Sequence, residues 1–437
     1  MMGRVIQVGL IGFGTVGSGV VKILQGNANL ITERVGVPVS LARIADLDVT
    51  TDRGVNVPSG ILTTNVRDIL DDPNIDIVVE LIGGHEPAKR FILQALAGKK
   101  SVVTANKALL ADHGEEVFEA AFKAQVDLGF EASVGGGIPI IRALTEGLAG
   151  NRVVSILGIM NGTSNYILTR MSQEDRGFSE ILREATREGY AETDPSLDID
   201  GIDAAHKLVI MVNLAYGTPV AMNDIFTEGI SQISTVDMTF AREMGFTIKL
   251  LGIAKLQEHT IEARVHPTLV PTDSPMAQVH GVYNAIHLVG DAVGDIVLYG
   301  QGAGSLPTAS AVVGDIIDLA RNRMNGVLLR VPATSFQWES RKPIPIKPMA
   351  DIECMYYLRC MVKDQPGVLS QISGILGEHG ISISSVLQKG RMKGQAVPLV
   401  ILTHRSLERA VQSALQEINA LPMVSEPTTL LRMEGVE

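Results

Sequence analysis

Apolar residues follow two rhythms along the first third of the chain. Runs at 5–11, 37–45 and 75–81 are rich in Val, Ile and Leu and stop at Gly12, Asp46 and the pair Gly83-Gly84. Such runs predict strands buried on both faces. Stretches at 16–24, 87–97 and 107–124 repeat their apolar positions every three to four residues, which predicts helices with one face turned to a core. A short apolar run at 101–103 adds a further strand. Strand and helix alternating in this way predict an α/β fold on a parallel, doubly wound sheet.

The rhythm changes after residue 136. A strand is expected at 153–160, helices dominate 166–216, and strands return near 248–256, 261–265 and 284–289, as in an inserted α+β domain. A helix at 308–323 is read as returning to the first domain, and Pro343, Pro345 and Pro348 as a stiff linker. Strands at 355–362, 381–387, 399–403 and 428–433, with helices at 368–378 and 407–418, give the order βαββαβ of a ferredoxin-like domain. The expected domains are 1–135 with 306–335, then 136–305, a linker at 336–350, and 351–437.

Composition narrows the function. The 437 residues carry a net charge of −11, which argues against a nucleic-acid partner, since that needs a basic face. No apolar run approaches the roughly 20 residues of a membrane-spanning helix. Arg4 and the apolar stretch after it resemble a signal peptide, but Gly9, Gly12, Gly14, Gly17 and Gly19 interrupt that stretch. Cys354 and Cys360 fall in one expected strand, about 20 Å apart, too far to bridge, so a reducing, cytoplasmic setting is the simplest reading. No Cys/His zinc pattern occurs.

Gly12-Phe13-Gly14-Thr15-Val16-Gly17 is a G-x-G-x-x-G between a strand and a helix. Its glycines allow a tight turn, the approach of a pyrophosphate and close helix–strand packing, while the helix start favours the anion. A turn without a ligand is the bland alternative. The second strand ends with Arg43 and Asp46, suited respectively to the 2′-phosphate of NADP and the free ribose of NAD, so both cofactors stay open. Thr104-Ala105-Asn106-Lys107 stands at the carboxyl end of a sheet strand, where open α/β sheets bind ligands, although a solvated lysine at a helix start has the same composition.

Segment 185–207 places Gly189, Glu192, Asp194, Asp198, Asp203 and Lys207 around a loop broken by Pro195 and Gly201. Asp203 and Lys207 lie one turn apart on a helix whose Ile202, Ala205, Val209 and Val212 are expected on another, core-facing side. Taken alone, the pair reads as a helical salt bridge. Ala185, Gly189, Asp194-Pro195, Asp198, Gly201, Asp203 and Lys207 together resemble the signature of the homoserine dehydrogenases. Asp364-Gln365-Pro366-Gly367-Val368-Leu369 resembles the first turn of an ACT domain.

That resemblance implies a Rossmann-type nucleotide domain, an inserted catalytic and dimerisation domain, and an ACT-like sensor. It implies NAD(P)-dependent interconversion of L-homoserine and L-aspartate 4-semialdehyde in threonine, methionine and isoleucine synthesis. The expected acid/base residue is Lys207, oriented by Asp203. Glu192 and Asp198 hold the amino end of the substrate, Gly189 and Thr163 of Asn161-Gly162-Thr163 lie beside it, and Lys107 stands near both nicotinamide and substrate. Gly304, in the glycine-rich loop 300–308, joins Gly12 to Gly17, Arg43 and Thr104 at the cofactor. A sodium or potassium ion is expected at Glu131 and the backbone oxygens of Val134, Gly136 and Ile138, where a hinge is the simpler reading. His206 is expected to be a packed or exposed helix residue. The resemblance also implies the monofunctional form, a homodimer or homotetramer, and threonine as effector. Two other classes are a thioester-forming semialdehyde dehydrogenase, which needs a nucleophilic cysteine, and a non-catalytic amino-acid sensor on a dehydrogenase scaffold.

Overall fold

The computed structural model describes residues 4–389 and 396–435. The chain forms two compact units, one of Met1–Ile156, Ala205–Asp224 and Asn284–Ile344, the other of Leu157–Ala204, Ile225–Tyr283 and Pro345–Glu437. The chain opens with β1 (Ile6–Ile11), α1 (Thr15–Gly26), α2 (Ala28–Val35), β2 (Val39–Ala45), β3 (Leu62–Thr63), α3 (Arg67–Leu70), β4 (Ile77–Glu80), α4 (Ala88–Ala97), β5 (Ser101–Thr104), α5 (Lys107–Ala124) and β6 (Leu128–Gly129). These six strands form a parallel sheet of order β3-β2-β1-β4-β5-β6. Strand order reverses between β1 and β4, and the crevice at their carboxyl ends is where such sheets take ligands. All four residues of β4 are fully buried, which explains its unbroken apolar run better than a half-exposed strand would.

Next come α6 (Ile140–Arg142), β7 (Val153–Ile159), α7 (Gly162–Glu174), α8 (Phe178–Arg187), α9 (Ser196–Ile199) and α10 (Ile202–Tyr216). They are followed by β8 (Phe226–Thr227), α11 (Thr235–Glu243), β9 (Phe246–Gln257), β10 (Thr260–Pro271), β11 (Tyr283–Gly290), β12 (Gly294–Gln301) and α12 (Ser305–Met324). In the first unit α12 lies along α1, where Val312, Ile316 and Leu319 share a core with Val20, Val21 and Leu24. Ser305 clamps the start of that contact, its hydroxyl donating to the carbonyl of Thr15 at 2.7 Å.

The last stretch holds β13 (Glu353–Lys363), α13 (Val368–Glu378), β14 (Ile383–Gln388), β15 (Ala396–Thr403), β16 (Ser406–Leu407), α14 (Glu408–Asn419) and β17 (Thr429–Met433). This is the βαββαβ order of a ferredoxin-like domain, with its own core of Tyr356, Leu358, Ile372, Leu376, Ile401 and Val411. Within the second unit the strands run β9-β10-β17-β13-β15-β14. The final strand β17 therefore stands between β10, parallel to it at Thr268↔Arg432, and β13, antiparallel at Tyr356↔Arg432.

The proline-rich stretch is not a bare spacer. Ile261 donates to the carbonyl of Pro345 at 3.0 Å and accepts from Lys347 at 2.8 Å. Proline has no N–H to give, but the carbonyl of Pro345 and the N–H of Lys347 suffice to stitch the segment to β10.

Candidate functional site

The glycine-rich turn after β1 is built for close approach. A side chain on Gly17 would stand 2.2 Å from the carbonyl oxygen of Gly12, and one on Gly12, at φ +100°, would meet the backbone of Leu81 at 2.8 Å. Gly14 is open: nothing lies within 4 Å of the place a Cβ would take. It caps α1 without a side-chain hydrogen bond, leaving the helix start to a ligand, and Thr15 and Val16 begin that helix. These features fit a dinucleotide pyrophosphate. Asp46 braces the turn, accepting the N–H of Phe13 at 2.5 Å on one carboxylate oxygen and that of Asp48 at 2.9 Å on the other. Both oxygens are thus engaged within the loop. Arg43 is half-buried, with one guanidinium N–H donating to the carbonyl of Ala42 at 3.0 Å.

At the ends of β4 and β5 stands a group that the sequence did not single out. Glu80 is fully buried, and one oxygen accepts the N–H groups of Ile82 at 2.8 Å and Gly83 at 3.2 Å. Its other oxygen takes the hydroxyl of Thr104 at 2.7 Å, and that hydroxyl oxygen accepts the N–H of Asn106 at 3.0 Å. Asn106 then caps α5 through Leu109 N–H and donates to the carbonyl of Gly84 at 2.7 Å. Half-buried Lys107 begins α5. One carboxylate thereby fixes both loops at the carboxyl edge of the sheet.

In the second unit, Asn161 draws the signature acids together. Its amide nitrogen donates to Asp198 at 2.6 Å and to Asp203 at 2.8 Å, while its carbonyl oxygen caps α7 through Ser164 N–H. Ser164 donates to the carbonyl of Asp198 at 2.7 Å, and Thr163 donates to that of Tyr190 at 2.7 Å. Asp194 accepts from Ser196, which holds its carboxyl below the usual range. Gly189, in a left-handed turn at φ +79°, and Glu192 are exposed. The expected division of α10 into a polar and a core face does not hold. Ala205, Leu208, Val209, Met211 and Val212 are buried on every side of the helix, and so are Asp203, His206 and Lys207. A helix apolar all round is enclosed all round, and its few charged groups are enclosed with it. His206 is therefore a packed residue.

Asn165, four residues beyond Asn161, was also unmarked. It donates to the carbonyls of Val279 at 3.2 Å, Gly281 at 2.9 Å and Tyr283 at 3.1 Å, and it accepts from the buried Lys249 at 3.1 Å. Burial pushes Lys249 down to about 8. A lysine inside the apolar run of β9 was the available signal.

Glu131 begins a turn through Val134, Gly136 (φ +55°) and Ile138. Its carboxylate accepts the N–H groups of Ile141 at 2.8 Å and Arg142 at 2.9 Å. Burial, then the neighbouring Asp315, pushes it up to about 7. Asp315 is itself raised to about 6 by burial, against the pull of Arg142 at 2.9 Å. Among the described residues no three His, Cys, Asp or Glu side chains group as metal ligands, and no helix is long and apolar enough to cross a membrane. Gly304, exposed at φ +128°, caps α12. Both cysteines are buried and unbridged in β13, with burial raising their thiols, so neither offers the nucleophile that thioester chemistry needs.

Comparison with known proteins agrees over nearly the whole chain. Family models for homoserine dehydrogenase match residues 139–317 and, for its NAD-binding domain, residues 12–131, and an ACT-domain model matches 356–422. The homoserine dehydrogenase of Neisseria gonorrhoeae is 44% identical over 431 residues, covering 99% of each chain. That of Bacillus subtilis is 42% identical over 437 residues, again with 99% of each covered. A crystal structure of a homoserine dehydrogenase from Thiobacillus denitrificans superposes with a TM-score of 0.93 at 47% identity, covering 99% of this chain and 98% of that one. A hyperthermophilic archaeal homoserine dehydrogenase in complex with NADPH gives 0.62 at 27% identity, over 75% of this chain and 100% of that one.

Proposed function

The chain belongs to the homoserine dehydrogenase family, as an oxidoreductase with an NAD-binding domain and a C-terminal ACT domain, and from that premise we propose how its own residues divide the work. The reaction is the reversible interconversion of L-homoserine and L-aspartate 4-semialdehyde, a step toward threonine, methionine and isoleucine. When bound, NAD(P) supplies or accepts the hydride. Lys207 gives a proton to the aldehyde oxygen during reduction and takes it back during oxidation, and Asp203 orients it. Glu192 and Asp198 hold the substrate ammonium, Thr163 and Gly189 shape its loop, and Lys107 stands between nicotinamide and substrate. The observation that carries this reading is Asn161, whose one amide nitrogen gathers Asp198 and Asp203 one turn ahead of Lys207.

NADP is the preferred cofactor in this reading. Asp46 already accepts two backbone N–H groups and Arg43 stands at the end of the same strand, while the archaeal relative was solved with NADPH. Gly12, Phe13, Gly14, Thr15, Val16, Gly17, Thr104 and Gly304 complete the cofactor site. A sodium or potassium ion takes backbone oxygens at Glu131, Val134, Gly136 and Ile138, with the Glu131 carboxylate kept as the cap of α6. The protein works in the cytoplasm as a homodimer or homotetramer, divided into nucleotide, catalytic and sensor domains joined by the 336–350 stretch, and threonine acts at the ACT domain. Oxidation of L-homoserine, followed as reduced-cofactor absorbance with NADP and NAD in parallel and threonine present or absent, tests these points together. Turnover with NADP above NAD and a threonine effect supports them, whereas equal rates with either cofactor would remove Arg43 from its role.

A further inference from the structure

Arg432 lies in β17, with only 2% of its side chain exposed, yet it serves two masters. Its Nε and one terminal nitrogen grip Glu408, the first residue of α14, at 2.9 and 2.6 Å. Its other terminal nitrogen donates to Glu228 at 2.8 Å, and the guanidinium lies 5.0 Å from the centre of the Phe226 ring. Glu228 belongs to the turn after β8, not to the C-terminal domain. That turn is wedged against the substrate loop. A side chain on Gly229 would meet the carbonyl oxygen of Ile199 at 2.3 Å, and the same oxygen accepts the N–H of Ile230 at 2.8 Å. Gly201, at φ +81°, packs on Thr227 and Val265. Residues 199–201 are the hinge between α9, which carries Asp198, and α10, which carries Asp203.

We propose that Glu228, held by Arg432, is a positioning residue for homoserine: it fixes the turn against which Asp198 and Asp203 take their spacing. Asn161 ties the two carboxylates from one side, and the 227–230 turn backs their hinge from the other. Glu228 touches no reacting atom. Its charge-assisted bond ties β17 to the turn behind the substrate acids. Movement of β17 or α14 is thereby read at the substrate carboxylates.

The inference rests on the reading that Asp198 and Asp203 serve the substrate, so the experiment carries a control for that. Replacing Arg432 would strand the buried Glu408, and the variant to make is therefore Glu228→Ala, at a side chain 38% exposed. In the full-length enzyme it is expected to raise KM for homoserine about five- to tenfold, with kcat and KM for NADP unchanged and the unfolding midpoint near the parent's. Glu228→Gln still offers Arg432 an oxygen and should recover most of the loss. Asp203→Asn is assayed beside them. If Asp203→Asn leaves homoserine kinetics untouched, the underlying reading of the site fails. If Asp203→Asn is impaired while Glu228→Ala keeps the parental KM, or loses homoserine and NADP kinetics equally, Glu228 has no positioning role.

Discussion

The hydroxyl of Thr104 donates to the buried carboxylate of Glu80 at 2.7 Å, and by that bond the loop after β5 is tied to the loop after β4. Thr104→Val keeps the shape and cuts the tie, leaving a carboxylate oxygen without a partner inside the protein. The expected cost is about 1–3 kcal/mol of stability, read as a lower unfolding midpoint. KM for the cofactor should rise with it, because the loop that starts α5 at Lys107 loses its anchor. Thr104→Ser should behave as the parent, and a valine variant with parental kinetics would show that the tie serves the fold alone.

Lys207→Ala should lose most turnover while keeping cofactor binding, as the role proposed for the lysine, handling a proton and not the dinucleotide, requires. Steady-state rates, with titration of reduced-cofactor fluorescence, check both halves. Equal turnover in variant and parent would take Lys207 out of the mechanism.

Arg43 and Asp46 stand near each other in sequence but are expected to fail differently. Arg43→Ala should lower kcat/KM for NADP by about tenfold or more and spare NAD, as a charge-assisted contact to one phosphate would. Asp46→Ala should weaken both cofactors, because it releases Phe13 in the pyrophosphate turn. A loss confined to NAD in the Asp46 variant would instead give that carboxylate to the ribose.

Stability should depend on pH through Asp315. Burial raises its carboxyl from 3.8 to about 6. A raised folded pKa means that its contribution is full below the unfolded value and is lost as pH rises through the folded one. The parent's unfolding midpoint minus that of Asp315→Asn should therefore fall between about pH 4 and pH 6 and then level off. The difference matters because His266 has the opposite sign: burial, then Arg432 and Arg264, push its imidazole well down, so acid below its ordinary range favours unfolding. A midpoint difference that is flat across this window would place Asp315 in an ordinary solvated state.

The bounds of α5 and α13 were legible to the residue because an Asn cap or a glycine turn marks where each begins, although the kink of α5 at His113 (φ −129°) has no counterpart in its apolar pattern. The apolar pattern predicts a strand over 261–265, whereas β10 runs on to Pro271. Prolines at 267 and 271 look like breakers, but Pro267 takes its place opposite Leu250 in the ladder with β9. Strand β12 went unread although its exposure alternates strictly, for a half-wet edge strand with Gly294 and Gly300 looks like a loop. The nearness of Asp198 and Asp203, joined through Asn161, was readable because the two acids share one local segment. Glu80 was not, because its meaning depends on β5 lying beside β4, a fact of strand order that no window of sequence contains.

The position of β17 has a bearing on biosynthesis. Ribosomes make chains from the amino end, and residues 429–433 come after every other strand, yet they fill the gap between β10 and β13. Until those five residues emerge, β10 at Thr268 and Leu269 and β13 from Met355 to Arg359 lack the partner β17 gives them, the kind of surface on which nascent chains aggregate. The nucleotide-binding sheet, whose strands all lie before residue 130, can close while synthesis continues. The second unit must wait, and a ribosome that stalls short of β17 releases a polypeptide with a finished cofactor fold and an adhesive, unsealed remainder.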